Sequence, residues 1–248
     1  MGAVRIERDE SVLRVTLARP ETRNAFDADL IAELAEAFVD VGKARAVLLA
    51  GDGPSFCAGA DVEWMRASVD LDFDAKVADA NALRGMLEAI DRCPAPVVAR
   101  VQGHALGGGA GLVACADIAI AHERTVFAFS EVKLGIIPAV ISPFALAKIG
   151  PAWARRYFVT GERFDAVTAQ KLGPSPASRT ARALPTSTNA AASSAINDAS
   201  KAFRVSGRAS VIRSSSPSRS ILSAPIGGRI LAEGSITVGG RCSSRPPP

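Results

Sequence analysis

Long apolar runs are missing from this chain: no stretch approaches the roughly 20 consecutive apolar residues that a membrane-spanning helix needs. Histidine is scarce, with only His104 and His122, and the four cysteines (Cys57, Cys93, Cys115, Cys242) show no C-x-x-C spacing. These shortages argue against a metal site, whether built on histidine or on paired cysteines, and leave free, mostly buried thiols as the expectation. The N-terminal residues MGAVRIERDESV lack the apolar centre of a secretory signal, so a cytoplasmic protein is expected. Aromatic residues make up 5% of the chain, and the region beyond residue 172 holds one, Phe203. Nucleic-acid binding is not expected, because that region shows basic charge without a recognisable binding motif.

What is present is enough apolar material for a sizeable core: 48% of 248 residues, as one domain or two small ones. The net charge of +4 is unevenly spread. From Gly173 onward lie ten of the 29 basic residues but only two of the 25 acidic ones, Asp198 and Glu233. Residues 1–172 are therefore mildly acidic and residues 173–248 strongly basic. The second region is rich in Ser, Arg, Pro and Ala with weak apolar periodicity, a composition expected to stay disordered.

The chain is organised around Val97 to Leu112, VVARVQGHALGGGAGL. A β-branched run meets Gly107, Gly108, Gly109 and Gly111, which reads as a buried strand ending in a Gly-rich turn that opens directly into a helix. The spacing does not match a dinucleotide fingerprint, and the Lys-Ser/Thr of a phosphate-cradling loop is absent. Such a turn can aim free helix N–H groups at a developing negative charge. A glycine turn needed only for close packing is the other reading.

Around it, VRIER and VLRVTLA read as two short strands, and Asp27 as the N-cap of a helix with Leu30, Ile31, Leu34, Ala35 and Phe38 inward. AVLLA at 46–50 is a buried strand, followed by the loop GDGPSFCAGAD. A helical stretch starts at 62–65, the acidic 70–74 reads as a mobile link, and 75–90 is helical with Val77, Leu83, Met86, Leu87 and Ile90 inward. Beyond the centre, strands are expected at DIAIA and TVFAF, then a helix, with ERFDAVTAQKLG as a loop entering a short helix. The alternation argues for an α/β fold.

In order along the chain stand RPETRNAF, GDGPSFCAGADVEWM, VQGHALGGGAGLVACADIAIA, FAFSEVKLGIIPAVISPF and VTGERFDA. This set resembles the enoyl-CoA hydratase/isomerase (crotonase) superfamily over about residues 3–172, and most resembles its bacterial members acting on branched enoyl-CoAs, including the methylglutaconyl type. The resemblance implies a spiral of ββα units, with residues 1–172 as the core and 173–248 as an atypical tail. That tail replaces the C-terminal helices that usually close the acyl pocket and build a trimer or hexamer. A shifted reading frame, or a genuine basic interaction tail on a crotonase scaffold, would account for it; either leaves an inactive chain as one outcome.

The resemblance also implies the site. The backbone N–H groups of Ala60 and Gly108 would form an oxyanion hole for an acyl-CoA thioester. Backbone around Arg23, Asn24 and Ala25 would contact coenzyme A, with Arg23 near its phosphates, and Ala58, Ala60, Asp61 and Gly108 would complete the binding surface. Hydratases of the family commonly use two glutamates; Glu131 matches the second, while Gly111 stands at the place of the first. One carboxylate must then both activate water and deliver a proton, or simply move a proton between carbons. Hydration of a 2-enoyl-CoA is the leading expectation and double-bond isomerisation the alternative, with no cofactor beyond the coenzyme A of the substrate.

Overall fold

The structure, a computed structural model, describes residues 2–9 and 11–172. In chain order its elements are β1 (Val4–Asp9), β2 (Val12–Leu17), α1 (Ala28–Val39), β3 (Ala46–Gly51), α2 (Val62–Ala67), α3 (Phe73–Asp91), β4 (Val97–Val101), β5 (His104–Leu106), α4 (Gly108–Cys115), β6 (Ile118–Ala121), β7 (Val126–Ala128), α5 (Ser142–Thr160), β8 (Phe164–Asp165) and α6 (Ala166–Leu172). The expected tail at 173–248 and its readings lie outside the described residues.

β1 and β2 form an antiparallel hairpin, and β3, β4 and β6 add to β2 in parallel, giving the order β1-β2-β3-β4-β6. With a parallel strand on each side, β3 is buried along its whole length, which explains its unbroken apolar run. The two-residue alternation of its side chains then divides the core. Val47 and Leu49 join Leu30, Ile31, Leu34 and Phe38 of α1 and Met86, Leu87 and Ile90 of α3 in the main cluster. Ala46 and Leu48 face the other way, with Val98 and Ile120. Each large apolar side chain buried so completely contributes roughly 1.5–3 kcal/mol over leaving it in water.

Caps set the helix starts. The Asp27 carboxylate accepts from the Leu30 N–H at 2.9 Å, and Asp72 does the same for the Ala75 N–H at 2.8 Å. Asp72 corrects one expectation: the acidic 70–74 is not a loose link but a 3-10 turn, Ser68–Asp70, followed by the cap and first turn of α3. Val77 is another correction, since it is exposed rather than inward. Its place on α3 faces solvent about two and a half turns before the buried Met86 and Leu87.

The centre also differs in one respect. β4 does not lead straight into the glycine turn. At Gly103 (φ +60°) the chain turns out of the large sheet and lays down β5, which starts a second sheet, β5-β7-β8. A Cβ on Gly103 would lie 1.9 Å from the Pro54 carbonyl oxygen, so only glycine permits that turn. β8, within the segment read as a loop, pairs antiparallel with β7 through Phe127 and Phe164. A strand of two residues is too short to leave a periodic signal. α5 is bent at Gly150, whose φ of 76° and ψ of 161° are not helical, immediately before Pro151.

Candidate active site

The loop between β3 and α2 is pinned on both edges. On one, the Cys57 N–H donates to the His104 carbonyl at 3.0 Å and the Leu106 N–H donates to the Cys57 carbonyl at 3.0 Å. On the other, the Phe26 N–H donates to the Gly59 carbonyl at 2.7 Å and the Asp61 N–H to the Phe26 carbonyl at 2.8 Å. Those last two bonds straddle Ala60, so its own N–H and C=O point away from Phe26. The start of α4 lies alongside: a Cβ on Gly59 would be 2.9 Å from the Leu106 carbonyl oxygen and 3.7 Å from the Gly108 nitrogen.

Gly108 is the first residue of α4, where an N–H has no partner within the helix; the bond from the Gly111 N–H to the Gly107 carbonyl, at 3.1 Å, opens the helical ladder. The glycines are needed for contact. A Cβ on Gly108 would lie 2.4 Å from Phe26 Cε2, and one on Gly109 2.4 Å from the Cys57 carbonyl oxygen. Close packing and a free donor are thus two consequences of the same approach. Cys57, beneath this loop, receives the Gly59 N–H on its sulfur, and burial pushes its thiol up to about 12, so it stays protonated.

Glu131 begins the 3-10 turn Glu131–Leu134 after β7. β7 pairs with β5, and β5 runs into α4, which brings the Glu131 carboxyl to the same helix start. A Cβ on Gly107 would be 3.0 Å from Glu131 Oε1. The other carboxyl oxygen, Oε2, is buried and has no hydrogen-bond partner among the described residues. Burial raises the pKa of this carboxyl above its ordinary value. Gly111, further along α4, faces Ile141, whose Cγ2 would lie 2.7 Å from a Cβ there.

The remaining expected residues are placed as follows. Arg23 is exposed with φ +55°, and its carbonyl accepts from the Ala58 N–H at 3.0 Å, which ties it to the loop between β3 and α2. Ala25 is buried. Asn24, also left-handed at φ +56°, is fully buried. Its Nδ2 donates to the carbonyls of Asp52, Ser55 and Phe56, and its Oδ1 accepts from the Arg19 N–H. Asp61 caps α2 by accepting from the N–H groups of Glu63 and Trp64 at 2.8 and 3.1 Å. The Asn24 side chain and Asp61 Oδ1 therefore fix backbone. Ser130, which reading the sequence passed over, stands directly before Glu131 with its Oγ 3.7 Å from a Cβ placed on Gly107. Its only signal in the sequence was adjacency, in FSEVKLG.

Against known proteins, the sequence profile of the Enoyl-CoA hydratase/isomerase family matches residues 7–205. The chain belongs to this family. The match continues past the core boundary expected at residue 172. Among curated family members, the chain is 36% identical over 176 residues to a probable enoyl-CoA hydratase of Mycobacterium bovis, covering 68% of this chain and 65% of that one. It is 35% identical over 164 residues to the enoyl-CoA hydratase AKT6-1 of Alternaria alternata, covering 65% and 53%. The chain thus spans about half to two thirds of the length of these relatives. Among solved structures, an enoyl-CoA hydratase from Shewanella pealeana superimposes with a TM-score of 0.73 at 40% identity, covering 79% of this chain and 73% of that one. Pseudomonas aeruginosa AtuE superimposes with a TM-score of 0.73 at 31% identity, covering 83% and 84%. The crotonase fold expected from the motifs is the fold of the described residues. Among those residues no helix is long and apolar enough to cross a membrane.

Proposed function

We propose that this chain adds water across the double bond of a 2-enoyl-CoA thioester. The observation that carries the reading is the Glu131 carboxyl, half-buried with one oxygen unpartnered, set against Gly107 at the start of α4. A carboxyl with one unpartnered oxygen, its pKa raised by burial, can accept a proton and release it again.

In this reading the Ala60 and Gly108 N–H groups receive the thioester oxygen. Water loses a proton to Glu131 as its oxygen bonds to C3; the electron pair of the double bond passes through C2 to the thioester oxygen as an enolate. Glu131 then gives the proton to C2, the enolate collapses, and the carboxylate is restored. Each backbone donor is worth about 3–4 kcal/mol to the transition state, and the N-terminal end of α4 adds to the same positive field. Arg23, exposed beside Ala58, meets coenzyme A phosphates, with backbone at Asn24, Ala25 and Ala58 lining the entry. Coenzyme A arrives with the substrate, and the reaction calls for no metal or nicotinamide. The protein works in the cytoplasm, and as a trimer or hexamer if its C-terminal region folds to supply the interface.

The test is hydration of crotonyl-CoA by the full chain and by Glu131→Gln. A fall of at least about a hundredfold in the variant, with an unchanged circular dichroism spectrum, supports the role; equal activity sinks it. One observation favours double-bond isomerisation as a second reading: Ile141 fills the space before Gly111, so α4 brings no second carboxyl. An isomerase converts a 3-enoyl-CoA without taking up solvent oxygen, which mass spectrometry in labelled water decides.

A further inference from the structure

Ser130 holds the N-cap position of the 3-10 turn that carries Glu131. A serine there ordinarily turns its hydroxyl onto a free N–H of the first turn. Ser130 makes no such bond, and its backbone sits in the sparsely populated bridge region at φ −89° and ψ 0°. Its hydroxyl lies towards α4 instead. The position a Cβ would take on Gly107 is 3.7 Å from Ser130 Oγ and 3.0 Å from Glu131 Oε1. Hydroxyl and carboxyl thus flank one point, one residue before the free Gly108 N–H. The serine is only half-buried, and the carboxyl beside it carries the unpartnered buried oxygen. A hydroxyl that makes no cap bond and a carboxyl with an unpartnered oxygen thus meet at the same place.

Addition of water needs more than a proton acceptor. A water held by Glu131 alone keeps its second hydrogen undirected and can pivot about the single bond. Ile141 closes off the α4 side, where a side chain on Gly111 could otherwise have helped. We infer that Ser130 is the second holder of the attacking water. Its Oγ accepts a hydrogen bond from the water hydrogen that is not transferred, while Glu131 takes the other as a proton. The water oxygen bonds to C3, the proton passes through Glu131 to C2, and the serine ends with the hydrogen it began with. This role rests on the hydratase reading. It concerns only the step that uses water; removing a proton from C2 needs Glu131 and the two backbone donors alone.

That difference makes the test. The full chain and its Ser130→Ala variant are assayed for hydration of crotonyl-CoA and for exchange of the C2 hydrogens of butyryl-CoA in heavy water. For the variant, kcat for hydration is expected to fall roughly ten- to a hundredfold, the loss of one hydrogen bond to a reacting group. Its KM for crotonyl-CoA and its C2 exchange rate are expected to stay within about twofold of wild type. Equal loss of both reactions would make Ser130 a structural residue and overturn the role, as would unchanged hydration. A wild-type chain that hydrates while the variant matches it removes only the serine. A wild-type chain that does not hydrate removes the hydratase reading itself, and the serine's role with it.

Discussion

Ile141 stands where a side chain on Gly111 would have to go, its Cγ2 2.7 Å from that Cβ position. Ile141 is itself 3% exposed, so it has no path out to solvent. The glycine and the isoleucine are therefore one packing unit that closes α4 against the start of α5. Gly111→Glu should then destabilise the fold by about 3 kcal/mol or more, through overpacking and an unpaired buried carboxyl. Urea unfolding at neutral pH checks this. A glutamate variant within about 1 kcal/mol of wild type that also hydrates faster would show that the space is open after all.

Glu131 links activity to pH in a stated direction. Burial raises its pKa, and in the proposed reaction the base is its carboxylate, so the acid limb of kcat/KM should lie above the ordinary carboxylate range and vanish in Glu131→Gln. Stability runs the other way. A folded-state pKa above the unfolded one means the native chain holds the proton longer, so stability falls as pH rises through that window. Glu131→Gln removes this loss. Its melting temperature should equal or exceed that of wild type at pH 7, and the difference should shrink under acid, as differential scanning calorimetry would record.

Asn24 and Asp61 are predicted to act through the backbone they hold. Asn24→Ala leaves three carbonyls, of Asp52, Ser55 and Phe56, without their donor and should destabilise by about 3 kcal/mol or more. Asp61→Ala loses the cap of α2 and should lose about 1 kcal/mol. Denaturant midpoints separate the two. An Asn24 variant as stable as wild type would mean its hydrogen bonds are replaced by water.

Gly108→Ala puts a methyl group 2.4 Å from Phe26 Cε2, in a ring that is fully buried. The helix start must shift, at about 1–3 kcal/mol of stability. Because the proposed reaction uses its N–H as one of two oxyanion donors, kcat for hydration should fall at least about tenfold while KM changes little. Paired Gly108→Ala and Phe26→Leu substitutions should recover part of both losses if the clash is the cause.

Much of the site was legible because its parts are local. The GGG cluster, the small residues at 58–60 and the glutamate in FSEVKLG each carry their chemistry within a few positions. Asn24 and Asp61 were harder. Their residue type suits a ligand contact as well as a backbone clamp, and the backbone partners across 28 to 32 residues, or two to three, show only in the fold. Ser130 was invisible for a similar reason: a serine before a short turn reads as a cap, and its failure to cap is a matter of where α4 lies.

The sequence by itself determined the strands and helices whose periodicity is strong, the glycines without which the backbones could not meet, and the family. Tertiary structure decided what each polar group faces. Pattern is set by near neighbours along the chain, so β3 and α1 announce themselves. Partnership is set by distance across the fold, where Gly103 turns the chain into a second sheet and β7 carries Glu131 back to Gly107.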